Sequence, residues 1–566
     1  MIDKFKNHRS SIIYSLFILL FIISPLYYKP NLGGTGLSLP YNITVWAAAI
    51  TIIFCSFIFL LIQNKFIFIN RGWMVLAFPV LIIISSFFSG YLSANEWLIR
   101  QFYIWGGVLF LIALFQFQLK KTELENILIF ITISMIIHAS ISILQILNFN
   151  FLKEVIPPKS GGSPSGILQQ TNVQASYLAT GIIISFYLIV SPFYQLKSKT
   201  KRSIIILSVF LSSYVVFNSG SRIGMLSILV GMFLLMFGYK KEIIENKNIL
   251  LLTMAALVFG VFLGRSGLGT AVEKGHDIVR GGYADLRLII YSISIDIVKA
   301  EFIWGHGLAS FIKVWGEHAP NFYASHPSVD HVPYIAHPHN ELLLWAIETG
   351  TLGVIGIGLF IWKIISSLIN SGRKNGLGYL AILTPISFHT QVELPFYISS
   401  LHWFLWLFLI FMVLNTAVKK SKQIPTFSIG SMIIISILYL VSIFFMYNSE
   451  MARRDLYQTI KKQNAITNGY PLQTALSSFY FQREAERLVM RRFFRTSIIK
   501  DEKDNVALYT EWAEQYILIN PELKVLEDLS QSYAFLGFKQ KKCEVVNAGL
   551  YMYEKSKVLS EYSEGC

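Results

Sequence analysis

The chain has 566 residues, of which 54% are hydrophobic, 15% aromatic and only 14% charged. Soluble domains carry about 25% charged residues, so this composition excludes a water-soluble enzyme, which could not hide so much apolar surface. Three cysteines exclude a dense disulfide scaffold or a zinc-finger array, no GxxxxGKS/T phosphate loop or HExxH zinc motif occurs, and a polytopic membrane protein remains.

Apolar runs of about 17 to 25 residues predict membrane-spanning helices, because such helices are long enough to cross the hydrocarbon core. About thirteen runs occur, which predicts an all-α polytopic membrane protein. The run at 377–391 is the weakest because it is short and contains Pro385 and His389. The runs lie near 11–28, 43–62, 72–90, 101–117, 124–147, 174–193, 203–218, 222–238, 248–264, 341–368, 377–391, 399–418 and 427–447.

The basic residues orient these spans. Lys4, Lys6 and Arg9 precede the first span and predict a cytoplasmic N-terminus. With alternating spans, about 19 Lys and Arg residues fall on cytoplasmic segments and about five on short outer loops. The formal charge of +15 therefore sets topology and gives no reason to expect nucleic-acid binding.

Three regions lie outside the spans. Two are outer loops, at 148–171 and about 265–340, and the third is a tail of mixed charge after Asn448 that has helical patterning. We predict a transmembrane domain over 1–447 and a helical periplasmic domain over 448–566. Cys543 and Cys566 both lie in the tail and could pair in an oxidising compartment, but the sequence leaves this open.

Polar groups at membrane depth are costly and are candidate site residues. The segment QQTNVQAS carries Gln169, Gln170 and Asn172 at the start of the sixth span. These amides suit hydrogen bonds to sugar or phosphate, and helix capping by Thr171 and Asn172 is the alternative. In NSGSRIG, Arg222 lies in a short outer turn and suits bidentate binding of pyrophosphate, with snorkelling to lipid headgroups as the alternative.

The long outer loop holds the richest set of candidates. Arg280 and Arg287 precede an amphipathic stretch that fits a helix on the membrane or re-entering it. The segment HPHNELL then places His337 and His339 before Asn340, a residue suited to capping the next helix. An imidazole there can exchange a proton near neutral pH. A metal site is the alternative, but no nearby cysteine or carboxylate set completes it.

The segment VELPFY supplies Glu393 and Tyr397 in a late outer loop, where interfacial anchoring is the alternative role for the tyrosine. The motifs QQTNVQASYLA, HPHNELLLWAIETGTLG and VELPFY, in this order over about 160–400, resemble the O-antigen ligase and polymerase superfamily. The first and the last of these motifs make the chain more similar to PglL-type bacterial protein O-oligosaccharyltransferases.

This resemblance implies a metal-free enzyme with no cofactor that moves an oligosaccharide from undecaprenyl pyrophosphate to a periplasmic protein such as a pilin. It implies an inner-membrane location with a periplasmic active site. His339, Arg222 and Arg287 match the catalytic positions. The substrate-binding candidates are Gln170, Asn172, Tyr397, Arg280, His337 and Glu393.

Two other functions stay open. An O-antigen ligase that uses lipid A core sugar, or a glycan polymerase, would use nearly the same chemistry on another acceptor. A transporter or flippase is the alternative from another class, but transporters tend to place polar groups at the bilayer midplane and to contain internal repeats. Here the charged candidates fall at the predicted outer rim.

Overall fold

The computed structural model describes residues 2–149, 154–191, 198–269, 271–272, 286–329, 331–332, 335–416, 419–423, 429–461 and 472–566, without side chains for 2–7, 419–420 and 429. Residue contacts divide the chain into two compact units. The first comprises Met1–Ala77, Tyr103–Val279 and Gly358–Tyr457. The second comprises Phe78–Phe102, Arg280–Ile357 and Gln458–Cys566. The predicted boundary near 447 stays a prediction.

Helices dominate the described residues, as the apolar runs predict. In chain order they are α1 (Ile2–Ile18, followed by short π and 3-10 turns to Leu26), α2 (Pro40–Gln63), α3 (Trp73–Ser89), α4 (Ala94–Gln116), α5 (Lys121–Leu147), α6 (Thr171–Val190), α7 (Lys199–Asn218), α8 (Arg222–Gly238), α9 (Lys240–Glu245) and α10 (Lys247–Leu263). The later helices that precede the tail are α11 (Leu286–Ala300), α12 (Phe311–Ser325), α13 (Glu341–Asn370), α14 (Gly372–His389), α15 (Pro395–Ile398), α16 (Ser400–Leu414) and α17 (Ile429–Lys461).

The predicted membrane class is confirmed. Within the described residues, eight helices are long and apolar enough to cross a membrane, and Trp73–Ser89, Arg222–Gly238, Lys247–Leu263 and Ser400–Leu414 are shorter apolar helices. Each predicted span coincides with a helix. The weakest, at 377–391, coincides with α14, which falls outside both of these groups because its first turns are polar.

Two loops of the first unit form a small antiparallel ladder. Strand β1 (Lys65–Ile69) pairs with β2 (Lys419–Gln423). The buried side-chain amide of Gln116 binds the end of α4 to strand β1. Its Oε1 accepts a hydrogen bond from Ile67 N (3.0 Å), and its Nε2 donates to the Ile67 carbonyl (2.9 Å). The loops after α2 and α16 therefore lie at the same end of the helix bundle, as the predicted alternation of spans requires.

The tail is helical, as predicted, with α18 (Gln473–Leu476), α19 (Gln482–Ile499), α20 (Lys503–Ile517), α21 (Leu523–Leu536), α22 (Lys539–Met552) and α23 (Lys557–Ser563). Helices α19 to α21 share an apolar core that includes Phe494, Tyr509 and Leu529. Cys543 and Cys566 form a disulfide with a Cα–Cα distance of 5.3 Å, which answers the question that the sequence leaves open.

Candidate functional site

The amide motif lies at the start of α6 in the first unit. Gln170 is the N-cap residue of this helix, but its side chain makes no capping hydrogen bond. Its Nε2 lies 3.4 Å from Glu393 Oε2. Asn172 Oδ1 accepts a hydrogen bond of 3.0 Å from Ser221 Oγ. The capping alternative does not describe these amides, which bond to side chains from later parts of the chain.

Arg222 is the first residue of α8 and is half-buried. The turn that precedes it is short because Gly220 adopts a φ of +67°, a conformation that glycine allows without strain. Ser221 next to it is buried and donates to Asn172. The fold therefore brings the arginine turn and the amide motif together at the same end of the first unit.

Glu393 and Tyr397 lie between α14 and α16, with Tyr397 in the short helix α15. Glu393 is buried, and its backbone N–H donates to the His389 carbonyl at 3.0 Å. The Tyr397 ring stacks against Tyr103 with centroids 6.2 Å apart, and Tyr103 Oη donates to the Phe396 carbonyl at 2.7 Å. The first unit thus gathers Gln170, Asn172, Arg222, Glu393 and Tyr397 on three neighbouring segments.

The histidine motif belongs to the second unit. His339 adopts a φ of +52°, which is uncommon for a residue with a side chain. Its backbone N–H donates to His337 Nδ1 at 3.3 Å, and the two rings lie 4.4 Å apart. His337 Nδ1 must be unprotonated to accept this bond. Asn340 caps α13 as predicted, since its Oδ1 accepts from Leu343 N at 3.0 Å.

Arg287 lies in the first turn of α11, in the same unit. Tyr291 follows it by four residues and therefore lies on the same face of the helix. Tyr291 Oη donates to the His339 carbonyl at 3.2 Å. This bond ties the histidine segment to the helix that carries the arginine. Arg280 falls outside the described residues.

The remainder of the histidine motif forms a kink. Gly350 interrupts α13 with φ 58° and ψ −153°. The segment 304–307 (WGHG) packs its backbone against this kink. His306 N donates to the Ile347 carbonyl (2.9 Å), and Gly307 N donates to the Glu348 carbonyl (3.0 Å). A Cβ on Gly350 would lie 2.4 Å from the Ile303 carbonyl, so only glycine fits. The kink fixes the loop between α11 and α12 against the helix that His339 precedes.

Several residues that hold these motifs were missed by the sequence analysis. Tyr291 and Tyr103 are single tyrosines with no distinguishing pattern. Gln145 is a buried amide near the end of α5 that bonds to the Pro157 and Gly166 carbonyls and to two backbone N–H groups in the loop before Gln170. Its position in an apolar run was a signal that could have identified it.

Three family models match the chain in separate segments. The protein glycosylation ligase model matches 164–189, which contains Gln170 and Asn172. The O-antigen ligase model matches 207–358, which contains Arg222, Arg287 and His339. The C-terminal model of the virulence factor membrane-bound polymerases matches 378–561.

These segments contain all of the predicted site residues, in the order of the motifs. No curated protein matches the chain. Membership of these ligase families indicates a multi-pass membrane enzyme that transfers glycans. Together the three matches support a PglL-type member of the O-antigen ligase superfamily.

Proposed function

We propose that the protein transfers a whole oligosaccharide from undecaprenyl pyrophosphate to a Ser or Thr hydroxyl of a periplasmic protein, such as a pilin, with inversion and without a metal. The acceptor oxygen bonds to the anomeric carbon as the bond from that carbon to phosphate breaks. Undecaprenyl pyrophosphate leaves, and the hydroxyl proton passes to an imidazole.

The observation that carries this proposal is the bond from Tyr291 to the His339 carbonyl. It couples a general base to the helix that bears Arg287. A positioned base contributes about 10² to 10⁴ in rate for a poor nucleophile such as a hydroxyl. Pyrophosphate leaves as an anion, so its departure needs a nearby cation rather than a strong acid. A guanidinium supplies this positive charge.

In this proposal the first unit holds the catalytic Arg222 together with substrate-binding residues. Arg222 binds pyrophosphate oxygens in bidentate fashion. Gln170, Asn172 and Tyr397 bind sugar hydroxyls and phosphate oxygens, and Glu393 orients the Gln170 amide through their 3.4 Å contact. His337 and Arg280 belong to the substrate-binding group of the second unit.

Two structural features support the periplasmic orientation. The β1–β2 ladder carries Lys65 and Lys422, and basic residues favour the cytoplasmic side. The disulfide in the tail is of a kind that persists in oxidising compartments, of which the bacterial periplasm is one. We therefore place the ladder inside, the tail outside, and the protein in the inner membrane.

A transfer assay tests the proposal. The purified chain in detergent receives undecaprenyl-pyrophosphate-linked oligosaccharide and a pilin-like acceptor protein, and intact-mass spectrometry follows the acceptor. We expect a mass increase of one whole glycan, unchanged by a metal chelator. Loss of transfer on chelation would contradict the metal-free mechanism. A transporter would give no product, because detergent leaves no sealed membrane.

A second acceptor deserves a parallel assay because the O-antigen ligase model covers 207–358. An O-antigen ligase would transfer the glycan to lipid A core sugar rather than to protein. Glycan on lipid A core, with none on the acceptor protein, would decide for that function.

A further inference from the structure

A buried serine in α6 joins two histidines from other helices of the first unit. Ser176 Oγ lies 2.8 Å from His389 Nδ1 at the end of α14 and 3.1 Å from His402 Nε2 in the first turn of α16. All three residues are 0% exposed. The mechanism proposed above does not use them.

The bonding capacity of the three groups fits this arrangement. A serine hydroxyl has one donor and two lone pairs, so it can donate to one neutral imidazole and accept from the other. His402 Nδ1 also lies 3.0 Å from Ser399 Oγ. Around them lie apolar helices, where a broken hydrogen bond leaves polar groups without water. The three side chains therefore form a strong local connection.

The three side chains lie next to two parts of the candidate site: the amide motif of α6 and the segment that carries Glu393 and Tyr397. Ser176 follows Asn172 by four residues, one helical turn along the same face. The His389 carbonyl accepts the backbone N–H groups of Glu393 (3.0 Å) and Val392 (3.1 Å). His389 and His402 thus hold the two ends of the segment that carries Glu393 and Tyr397.

We infer that Ser176, His389 and His402 are positioning residues that set the amide motif of α6 against the Glu393–Tyr397 segment. This inference rests on the proposed function, in which Gln170, Glu393 and Tyr397 bind the substrate. The three residues do not touch substrate. They fix the distance between groups that do, and misplacement of such groups by about 1 Å can lower a rate about 100-fold.

The test compares Ser176→Ala with Ser185→Ala. Ser185 lies deeper in α6, is equally buried, and its hydroxyl has no hydrogen-bond partner within the described part of the chain. Two quantities are measured in detergent: the transfer rate, and hydrogen–deuterium exchange of the backbone amides in 390–399. Ser176→Ala should lower kcat about 10- to 100-fold and speed this exchange, while Ser185→Ala should change neither.

Variants of His389 separate positioning from simple packing. In His389→Asn the side-chain amide occupies the place of Nδ1 and can keep the bond to Ser176, whereas His389→Leu removes it. We expect Asn to restore most of the transfer that Leu loses. Equal loss in both variants would contradict the inference, as would unchanged exchange in Ser176→Ala. If exchange responds as expected but the wild-type chain transfers no glycan, the proposed function fails and with it the positioning role.

Discussion

Helix α17 of the first unit and helix α21 of the second differ in which residues they expose. Helix α17 exposes Leu438 (60%) and Phe444 (67%), while its last turns bury Arg453, whose Nε donates to Glu450 Oε2 at 2.8 Å. Helix α21 instead buries Val525 and Leu529. An apolar exterior with paired polar groups inside is the pattern of a helix in lipid. The comparison separates a lipid-facing bundle from a tail packed like a water-soluble domain.

The same contrast applies to how the two units hold their site residues. In the first unit, buried side chains bridge segments: Gln145 joins α5 to the loop before α6, and Ser176 joins α6 to α14 and α16. In the second, backbone contacts at the Gly350 kink hold the loop between α11 and α12, and the Tyr291 bond holds the segment that carries His339. We therefore expect side-chain bridges to set the positions of the site residues in the first unit, which include Arg222, and backbone contacts to set that of His339 in the second.

Apart from the loss of His339, the largest expected effect comes from Arg287 in the second unit. Arg287→Gln should lower kcat about 10²- to 10³-fold, because a charge that stabilises the leaving group is lost. Arg287→Lys should restore part of the rate. Lys299→Gln is the matched control, since Lys299 is an exposed cation on the same helix that pairs with Asp296 at 2.8 Å. Equal losses in Arg287→Gln and Lys299→Gln would contradict the assigned role.

The tail disulfide offers a change confined to the second unit. Replacing Cys543 with Ser should lower the free energy of unfolding of the tail by about 2–4 kcal/mol, because a cross-link spanning 23 residues is lost. Limited proteolysis should cut the tail sooner while the first unit stays resistant. Cys55→Ser, in α2, is the control that should change neither region. Equal proteolysis of wild type and Cys543→Ser would show that the bond does not stabilise the tail.

Gln145 and Gln116 distinguish the two ends of the first unit. Both are buried amides that bond to backbone groups, Gln145 at the loop before α6 and Gln116 at the β-ladder. Replacing either with Ala should lower the free energy of unfolding by about 1–3 kcal/mol. Only Gln145→Ala should also lower transfer, since its loop leads to Gln170. Equal transfer by the two variants would remove the functional distinction between these ends.

The smallest expected effect is a pH dependence in the second unit. Burial, and then the neighbouring His306, hold the pKa of His318 below its usual value of 6.5, while Glu317 and Asp296 oppose this. The unfolded chain therefore binds the proton more readily. This contribution to stability is complete above pH 6.5 and is lost as the pH falls through the folded-state pKa. Melting temperatures at pH 7.5 and 5.5 should differ less in His318→Leu than in wild type.

Much of the fold follows from the sequence because apolar run length fixes where a helix can cross a membrane. The site residues were predictable as polar motifs at the ends of apolar runs, but their roles stay predictions. The residues that these site residues and their neighbours contact were not predictable. The contacts of Ser176 with His389 and His402 join positions more than 200 residues apart, and the His339 carbonyl accepts a hydrogen bond from Tyr291, 48 positions before it. The β1–β2 pairing likewise depends on how the helices pack.

The most direct measurement compares His339→Asn with His331→Asn in the purified transfer assay. Asn tolerates the positive φ of His339, so the first variant removes the imidazole while the backbone can stay in place. His331 is the control because it lies in the same segment between α12 and α13, where its ring stacks on Tyr323 of α12. We predict that His339→Asn lowers the transfer rate about 10²- to 10⁴-fold with an unchanged melting temperature, and that His331→Asn transfers like wild type. Undiminished transfer by His339→Asn would contradict the account.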